Sequence, residues 1–182
     1  MLVQPIATPR LLLRPLTLTD WPAVYAYTSD ARVMTYIPEG PFTETQARAF
    51  VEQQSGAHAE ALAVLLKTED QLIGYLLFHP WFAPRTYEIG WVFHAAYQGQ
   101  GYATEAARAM LRYGFEALQS HHIIATCQPE NPASYRVMEK LGMRREGHFR
   151  QCLSRENNLW WDEYFYAILA EEWFSRHRSQ QT

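Results

Sequence analysis

Two glycines stand directly before a long amphipathic helix in the segment YQGQGYATEAA, residues 97–107. The preceding segment YEIGWVF, residues 87–93, is rich in aromatic and β-branched side chains and predicts a strand. A helix N-terminus offers unpaired N–H groups and the positive end of its dipole, and glycines let a ligand approach the backbone closely. This strand–turn–helix unit therefore predicts an anion site, and a tight turn without a ligand is the alternative. The apolar stripe that fixes the helix start near Gly101 comprises Ala103, Ala106, Ala107, Met110, Leu111, Gly114, Phe115 and Leu118.

The predicted anion site differs from two better-known phosphate loops. A P-loop requires GxxxxGK followed by Ser or Thr, and this segment has no such lysine. A dinucleotide fingerprint requires a third glycine where the chain has Thr104, and it normally lies in the first strand-to-helix turn. A nucleoside triphosphatase and a Rossmann domain are therefore both disfavoured.

Composition favours one compact domain. The 182 residues are 48% hydrophobic and 14% aromatic, enough to bury a core without disulfides or metal. The formal net charge of −3, with only 19% charged residues, gives no basic face for nucleic acid. The cysteines and histidines lack metal-ligand spacing, and the first residues do not read as a signal sequence. We therefore expect a cytoplasmic protein with reduced thiols, no metal and no membrane association.

Hydrophobic periodicity and capping signals predict a mixed α/β sheet. Asp20 is a candidate cap for a first helix, and Thr43-x-x-Gln46 is a capping box for a second. Asn131 is a candidate cap for a further helix, Pro132 suits its first turn, and the helix ends near Gly142. The predicted strands are residues 11–16, 61–67, 71–78, 87–93 and 122–127, with a closing hairpin formed by 146–153 and 159–168.

Separated motifs resemble the GNAT superfamily of acyl-CoA-dependent N-acetyltransferases. Gln98-x-x-Gly101-x-Ala103 resembles its Q/R-x-x-G-x-G/A signature, and the segment from Asn131 to Met143 resembles its NxxS…KLGF segment. The opening TPRLLLRPLTLTD, residues 8–20, and the ending, residues 161–173, are similar to the branch of ribosomal-protein N-terminal acetyltransferases. The resemblance predicts a single N-acetyltransferase domain over residues 8–174 and a C-terminal tail over 175–182.

This resemblance implies the GNAT fold, a central and mostly antiparallel sheet flanked by helices. Two central parallel strands, here residues 87–93 and 122–127, would splay apart to admit coenzyme A. By family analogy, the pyrophosphate binds the backbone amides of the loop, and the pantetheine binds the strand edge and Asn131. The implied cofactor-binding residues are Trp91, Val92, Phe93, Gln98, Gly99, Gln100, Gly101, Tyr102, Ala103, Thr104, Asn131 and Ser134.

The implied reaction is transfer of an acetyl group from acetyl-CoA to a primary amine by direct attack in a ternary complex. The amine must lose a proton, so a carboxylate, a histidine or a water chain should lie near the site. Glu88 is the preferred base because it shares a strand face with Gly90 and Val92. A solvated or paired carboxylate is the alternative role for Glu88, and His94 and Asp162 are rival bases.

The thioester carbonyl and the departing thiolate each need a hydrogen-bond donor. The backbone N–H of Val92 would polarise the carbonyl if the splay frees it from its ladder. Many GNAT enzymes protonate the thiolate with a tyrosine seven residues after the motif asparagine, but that position is Met138, which has no proton to donate. Ser134 is the candidate acid, and a first-turn helix serine is its alternative role.

The resemblance leaves the acceptor open. An N-terminal amine of a protein, such as a ribosomal protein, follows the most similar branch, and a small amine such as an aminoglycoside, polyamine or amino acid is the alternative. A non-catalytic acyl-CoA sensor is a further hypothesis, which Met138 permits. The aromatic residues Trp81, Phe82, Trp160 and Trp161 could line an acceptor pocket, a subunit contact or the core. We expect acetyl-CoA and an amine as partners of a monomer or homodimer.

Overall fold

A computed structural model describes residues 4–56, 59–155 and 158–178, which form a mixed α/β structure as predicted. The contacts divide these residues into two compact units. The strands are β1 (Ile6–Ala7), β2 (Leu11–Pro15), β3 (Ala61–Leu66), β4 (Gln71–Pro80), β5 (Thr86–Phe93), β6 (His122–Cys127), β7 (Arg144–Ser154) and β8 (Trp160–Leu169). The α-helices are α1 (Trp21–Thr28), α2 (Glu44–Gln54), α3 (Tyr102–Arg112), α4 (Pro132–Lys140) and α5 (Ala170–Arg178).

The first unit comprises the described residues of Met1–Phe78 together with Gly90–Ala109. Its strands hydrogen-bond in the order β1-β2-β3-β4-β5, and β1 to β4 pair antiparallel. The sequence of β3, ALAVLL, is apolar on both faces, which suits a strand that is covered on both faces of the sheet. All six residues of β3 are buried.

The capping box predicted at Thr43 is present and starts α2. The Thr43 hydroxyl accepts a hydrogen bond from the Gln46 N–H at 3.3 Å, and the Thr43 N–H donates to Gln46 Oε1 at 2.8 Å. These two bonds satisfy amide groups that would otherwise lack partners at the helix start. The helix then contributes to the core of the first unit, which contains Leu16, Val24, Tyr27, Met34, Val51, Ala61, Ala63, Leu65, Leu72, Tyr75 and Val92.

The second unit comprises His79–Ile89 and the described residues of Met110–Thr182, with strands in the order β5-β6-β8-β7. The strand β5 contributes residues 90–93 to the first unit and residues 86–89 to the second. β5 and β6 are parallel, as predicted, from the pair Thr86 and His122 to the pair Glu88 and Ile124. The parallel ladder ends there, although β6 continues to Cys127 beside the antiparallel strand β8.

The helix predicted to continue to Leu118 changes its hydrogen bonding before it ends. α3 stops at Arg112, and Tyr113–Ala117 form a π-helical turn in which the Leu118 N–H donates to the Tyr113 carbonyl oxygen at 3.1 Å. Within this turn, the ring of Phe115 stacks on that of Trp173 of α5 with centroids 5.5 Å apart. The predicted stripe is nevertheless buried from Ala106 to Phe115.

The C-terminal helix extends into the predicted tail. α5 reaches Arg178, so residues 175–178 are helical, and the rest of the tail lies outside the described residues. The domain bounds 8–174 remain a prediction. None of the described helices is long and apolar enough to cross a membrane. The described ranges also contain no group of three or more His, Cys, Asp or Glu side chains that could hold a metal ion.

Candidate active site

The loop between β5 and α3 has the backbone conformation expected of an anion site. Gly99 and Gly101 have φ angles of +75° and +83°, in the left-handed region that favours glycine. The first helical hydrogen bond runs from the Glu105 N–H to the Gly101 carbonyl oxygen at 3.0 Å. The helix itself therefore gives no acceptor to the amides of residues 101–104, and these donors fit a pyrophosphate.

Two glutamine side chains in this loop hold its backbone in place. The side-chain amide of Gln98 donates to the carbonyl oxygen of Phe93 at 2.9 Å, at the end of β5. The side-chain amide of Gln100 donates to the carbonyl oxygen of Ala96, also at 2.9 Å. Both side chains thus support the loop through hydrogen bonds to backbone carbonyl oxygens.

The predicted pantetheine edge is the last part of β5. Val92 and Phe93 are buried, and Trp91 is partly buried. The strand β4 approaches this edge closely, because a Cβ atom on Gly74 would lie 2.5 Å from the Val92 carbonyl oxygen and 2.8 Å from the Phe93 ring. Only glycine fits at this position, so the placement of the edge depends on Gly74.

Glu105 has partners that sequence analysis did not identify. Its Oε1 accepts hydrogen bonds from the Thr8 hydroxyl at 2.6 Å and the Arg10 N–H at 2.9 Å, and its Oε2 accepts from Arg10 Nε at 2.6 Å. Burial acts to raise the pKa of Glu105, but the hydrogen bonds from Thr8 and Arg10 outweigh this effect and lower it. Glu105 is therefore an ionised anchor between the N-terminal segment and α3.

An open pocket in the second unit brings Glu88 together with a second carboxylate, Glu163. The Thr126 hydroxyl lies 3.3 Å from Glu88 Oε1 and also within hydrogen-bonding reach of Glu163, so its one proton can be donated to either carboxylate. The cavity has a volume of about 690 Å³. Its lining residues are Trp81, Glu88, Ile124, Thr126, Glu146, Gly147, Phe149, Leu153, Glu163 and Phe165.

The pocket carries negative charge that the described part of the chain does not neutralise. Burial raises the pKa of Glu163, and the nearby charge of Glu88 raises it further, although the Thr126 hydrogen bond opposes both. The third carboxylate, Glu146, pairs with Arg144 at 2.7 Å. Among described residues, no lysine or arginine forms an ion pair with Glu88 or Glu163, and the nearest basic group is His79 Nε2, 4.0 Å from Glu88. Such a pocket favours a cationic ligand, for example a protonated amine.

Strand periodicity contains the signal that could have identified Glu163. In β8, WWDEYFYAIL, Glu163 shares a face with Trp161 and Phe165, so it is a lone carboxylate between aromatic residues. The position of Thr126 beside it depends on the pairing of Thr126 with Phe165 between β6 and β8. That pairing joins distant segments, and no local pattern in the sequence predicts it.

The start of α4 confirms the capping role expected of Asn131. Its side-chain oxygen accepts a hydrogen bond from the Ser134 N–H at 3.1 Å. The Ser134 side chain hydrogen-bonds to the Cys127 thiol, whose pKa burial raises to about 12 in spite of this contact. Met138, at the position where many GNAT enzymes have a tyrosine, is 1% exposed.

The two rival bases, His94 and Asp162, both form hydrogen bonds with structural partners. His94 Nδ1 accepts a hydrogen bond from the Ala96 N–H at 3.1 Å and caps a short 3-10 helix. Asp162 accepts from the Gln151 N–H at 2.8 Å and lies 2.7 Å from His148 Nε2. Both side chains thus have structural roles, and the choice of Glu88 as the base remains a prediction.

Comparison with known proteins agrees with this geometry. A family model described as an acetyltransferase (GNAT) domain matches residues 10–144. The N-acetyltransferase YnaD of Bacillus subtilis is 59% identical over 168 residues, covering 92% of this chain and 98% of the relative. The crystal structure of a GNAT-family acetyltransferase from Bacillus anthracis is 54% identical with a TM-score of 0.89, covering 93% of this chain and 100% of that one. The ribosomal-protein-serine acetyltransferase of Escherichia coli is 27% identical over 119 residues, 63% of this chain and 66% of the relative. The chain therefore belongs to the GNAT family and is an acetyl-CoA-dependent N-acetyltransferase.

Proposed function

We propose that the protein transfers the acetyl group of acetyl-CoA directly to a primary amine that binds in the pocket of Glu88 and Glu163. The observation that carries this proposal is the pair of carboxylates around Thr126, for which the described residues supply no lysine or arginine partner. An amine is a cation near neutral pH, so these carboxylates attract it and Glu88 can accept its proton.

The loop and the strand edge of the first unit support binding of the donor. Backbone amides from Gln98 to Thr104 would hold the pyrophosphate, helped by the dipole of α3. Residues 91–93 would hold the pantetheine, and the Val92 N–H would polarise the thioester carbonyl. The family analogy adds Asn131 as a hydrogen-bond partner of the pantetheine.

The transfer removes two protons from the amine nitrogen and adds one to the sulfur, around one exchange of bonds. The protonated amine loses one proton to Glu88, directly or through water, and Glu88 passes it to solvent. The amine nitrogen then bonds to the acetyl carbon, the carbon–sulfur bond breaks, and its electron pair goes to sulfur. Ser134 donates a proton to the sulfur and recovers one through solvent, to which the nitrogen loses its second proton. The products are an N-acetylated amine and the free thiol of coenzyme A.

The proposed acceptor is the N-terminal amine of a protein or peptide. The pocket is open, and its lining includes Phe149, which is 50% exposed and can contact the first side chains of a peptide. The E. coli relative is named for a ribosomal protein, which favours the same class. A small polyamine is the second candidate, because two carboxylates in one pocket match two ammonium groups.

Calorimetric titration with acetyl-CoA tests the donor site. Gly101→Glu places a negative side chain and a strained left-handed residue in the loop, and we expect it to abolish binding in a folded protein. Gly40→Glu is the matched control, since Gly40 also has a positive φ, +68°, and a Cβ there meets nothing within 4 Å. Equal affinity in both variants would contradict the loop assignment.

Steady-state kinetics with an acceptor panel tests the catalytic roles. We expect Glu88→Gln and Ser134→Ala to lower kcat with little change in the affinity for acetyl-CoA, by roughly 10²- to 10⁴-fold for the base. Glu146→Gln, in the same pocket but paired with Arg144, is the control. The panel compares peptides with N-terminal Ala, Ser or Met with spermidine and lysine. Preference for spermidine would replace the peptide proposal, and full activity in Glu88→Gln would remove Glu88 from the mechanism.

A further inference from the structure

Arg10 contacts the loop between β5 and α3, here called the anion loop, and the first turn of α3. Its Nη1 donates to the Gln100 carbonyl oxygen at 3.1 Å, and its Nε donates to Glu105 Oε2 at 2.6 Å. Its guanidinium carbon lies 4.3 Å from the centroid of the Tyr102 ring. One side chain, far away in the sequence, thus reaches the residues before and after Gly101.

The geometry makes Arg10 a brace for the glycine turn. The Gln100 carbonyl belongs to the peptide unit that precedes Gly101, so the Nη1 contact restrains the peptide between the two glycines. The Glu105 carboxylate fixes the other end of the guanidinium on the first turn of α3. The planar fork of an arginine can span both acceptors at once, which a lysine ammonium cannot do with the same geometry.

We propose that Arg10 is a positioning residue for acetyl-CoA, and this proposal rests on the proposed donor site. Arg10 holds the loop from Gly99 to Tyr102 in the shape that receives the pyrophosphate. A loop that is already ordered loses less conformational freedom when the ligand binds. The effect of Arg10 therefore falls on the affinity for the pyrophosphate-bearing donor, and the chemical step in the second unit's pocket keeps its rate.

The guanidinium also adds positive charge where the pyrophosphate is expected. A Cβ atom on Gly101 would lie 3.5 Å from Arg10 Nη2, so this nitrogen faces the turn itself. Glu105 offsets the charge in part, and the Arg10 side chain is 44% exposed, so the electrostatic attraction is screened by salt.

The test compares a full donor with a truncated one. We expect Arg10→Gln to raise the KM for acetyl-CoA and the Kd for coenzyme A about tenfold, as for the loss of one charge-assisted contact. S-acetylpantetheine lacks the pyrophosphate and the adenosine, so its kcat/KM should stay within about twofold of the wild-type value. Arg10→Lys should lie between the wild type and Arg10→Gln because it keeps the charge but not the fork.

Arg48→Gln is the matched control. Arg48 also pairs with a carboxylate, Glu44, at 2.8 Å, and its guanidinium also lies over an aromatic ring, that of Trp21. Its side chain is 51% exposed, close to the value for Arg10, but it belongs to α2. We expect Arg48→Gln to leave both donors unaffected.

The outcomes separate the two proposals. If the wild type binds no coenzyme A, the proposed donor site fails. If the wild type binds and Arg10→Gln binds equally well, only the role of Arg10 is overturned. An equal loss with acetyl-CoA and S-acetylpantetheine would also overturn it, because that result indicates general disruption. Should Arg10→Gln not fold, Glu105→Gln removes the other half of the pair and must show the same donor-dependent loss for the proposal to stand.

Discussion

Substitution of Gly74 by alanine should displace the strand edge that is proposed to hold the pantetheine. The new Cβ atom would lie 2.5 Å from the Val92 carbonyl oxygen, whereas contacts under 3.0 Å are essentially never seen for real Cβ atoms. The backbones of β4 and β5 must therefore separate by at least about 0.5 Å at this point. Overpacking of this kind costs about 1–3 kcal/mol of the free energy of unfolding, or roughly 2–12 °C in Tm for a chain of this length.

Gly90→Ala is the control for Gly74→Ala. Both changes reduce the conformational freedom of the unfolded chain equally, but a Cβ on Gly90 would meet the nearest atom, of Leu77, at an ordinary 3.8 Å. The difference between the two Tm values therefore isolates the steric cost. We also expect only Gly74→Ala to raise the KM for acetyl-CoA. Equal Tm and KM values for the two variants would refute the claim that Gly74 positions this edge.

Three further predictions concern charge and backbone strain, each measured by urea unfolding. The pKa of Glu163 is raised in the folded protein, mainly by burial. The free energy of unfolding therefore falls as pH rises from below the ordinary pKa of 4.5 through the folded value, and Glu163→Gln should gain stability relative to the wild type across this window. A stability difference that stays constant with pH would contradict the burial argument. Burial acts to raise the pKa of Asp20, but hydrogen bonds from Arg14 and Thr17 lower it below 3.8. Asp20→Asn should therefore cost about 1–3 kcal/mol at about pH 7 and progressively less as pH falls through the folded value, whereas a cost that persists in acid would exclude the ion pair as its cause. Gly142→Ala should lower the free energy of unfolding by about 1–2 kcal/mol, because φ at Gly142 is +84° and the new Cβ would overlap the Arg176 guanidinium. An unchanged urea midpoint would show that no strain arises there.

Local rules predicted the elements that local interactions stabilise. The capping box at Thr43, the cap at Asn131 and the stripe of α3 each depend on residues within a few positions of one another, and each is present. The two positive-φ glycines of the anion loop also follow from the turn alone. These features therefore could be predicted from the sequence before any pairing between strands was known.

The features that sequence analysis missed depend on contacts between distant segments. Arg10 meets Glu105 across 95 positions of the chain, and Thr126 meets Glu88 across 38. The second carboxylate of the pocket, Glu163, reaches Thr126 only through the register of β6 and β8. The π-helical turn after Arg112 likewise accompanies the stacking of Phe115 on a residue of α5. Each of these contacts depends on which segments of the chain lie side by side, and the hydrophobic periodicity of the sequence does not predict that arrangement.

Hydrogen exchange should be slowest in β3. Its six buried residues have hydrogen-bonded strands on both sides, so neither fraying of an edge nor loss of a single neighbour gives solvent access to all of its amides. Exchange there requires an opening that separates β3 from β2 and from β4 together, which is close to unfolding of the first unit. The slowest amide protons of this strand would thus report how firmly the first unit holds together, and a ligand that binds its loop would slow them further.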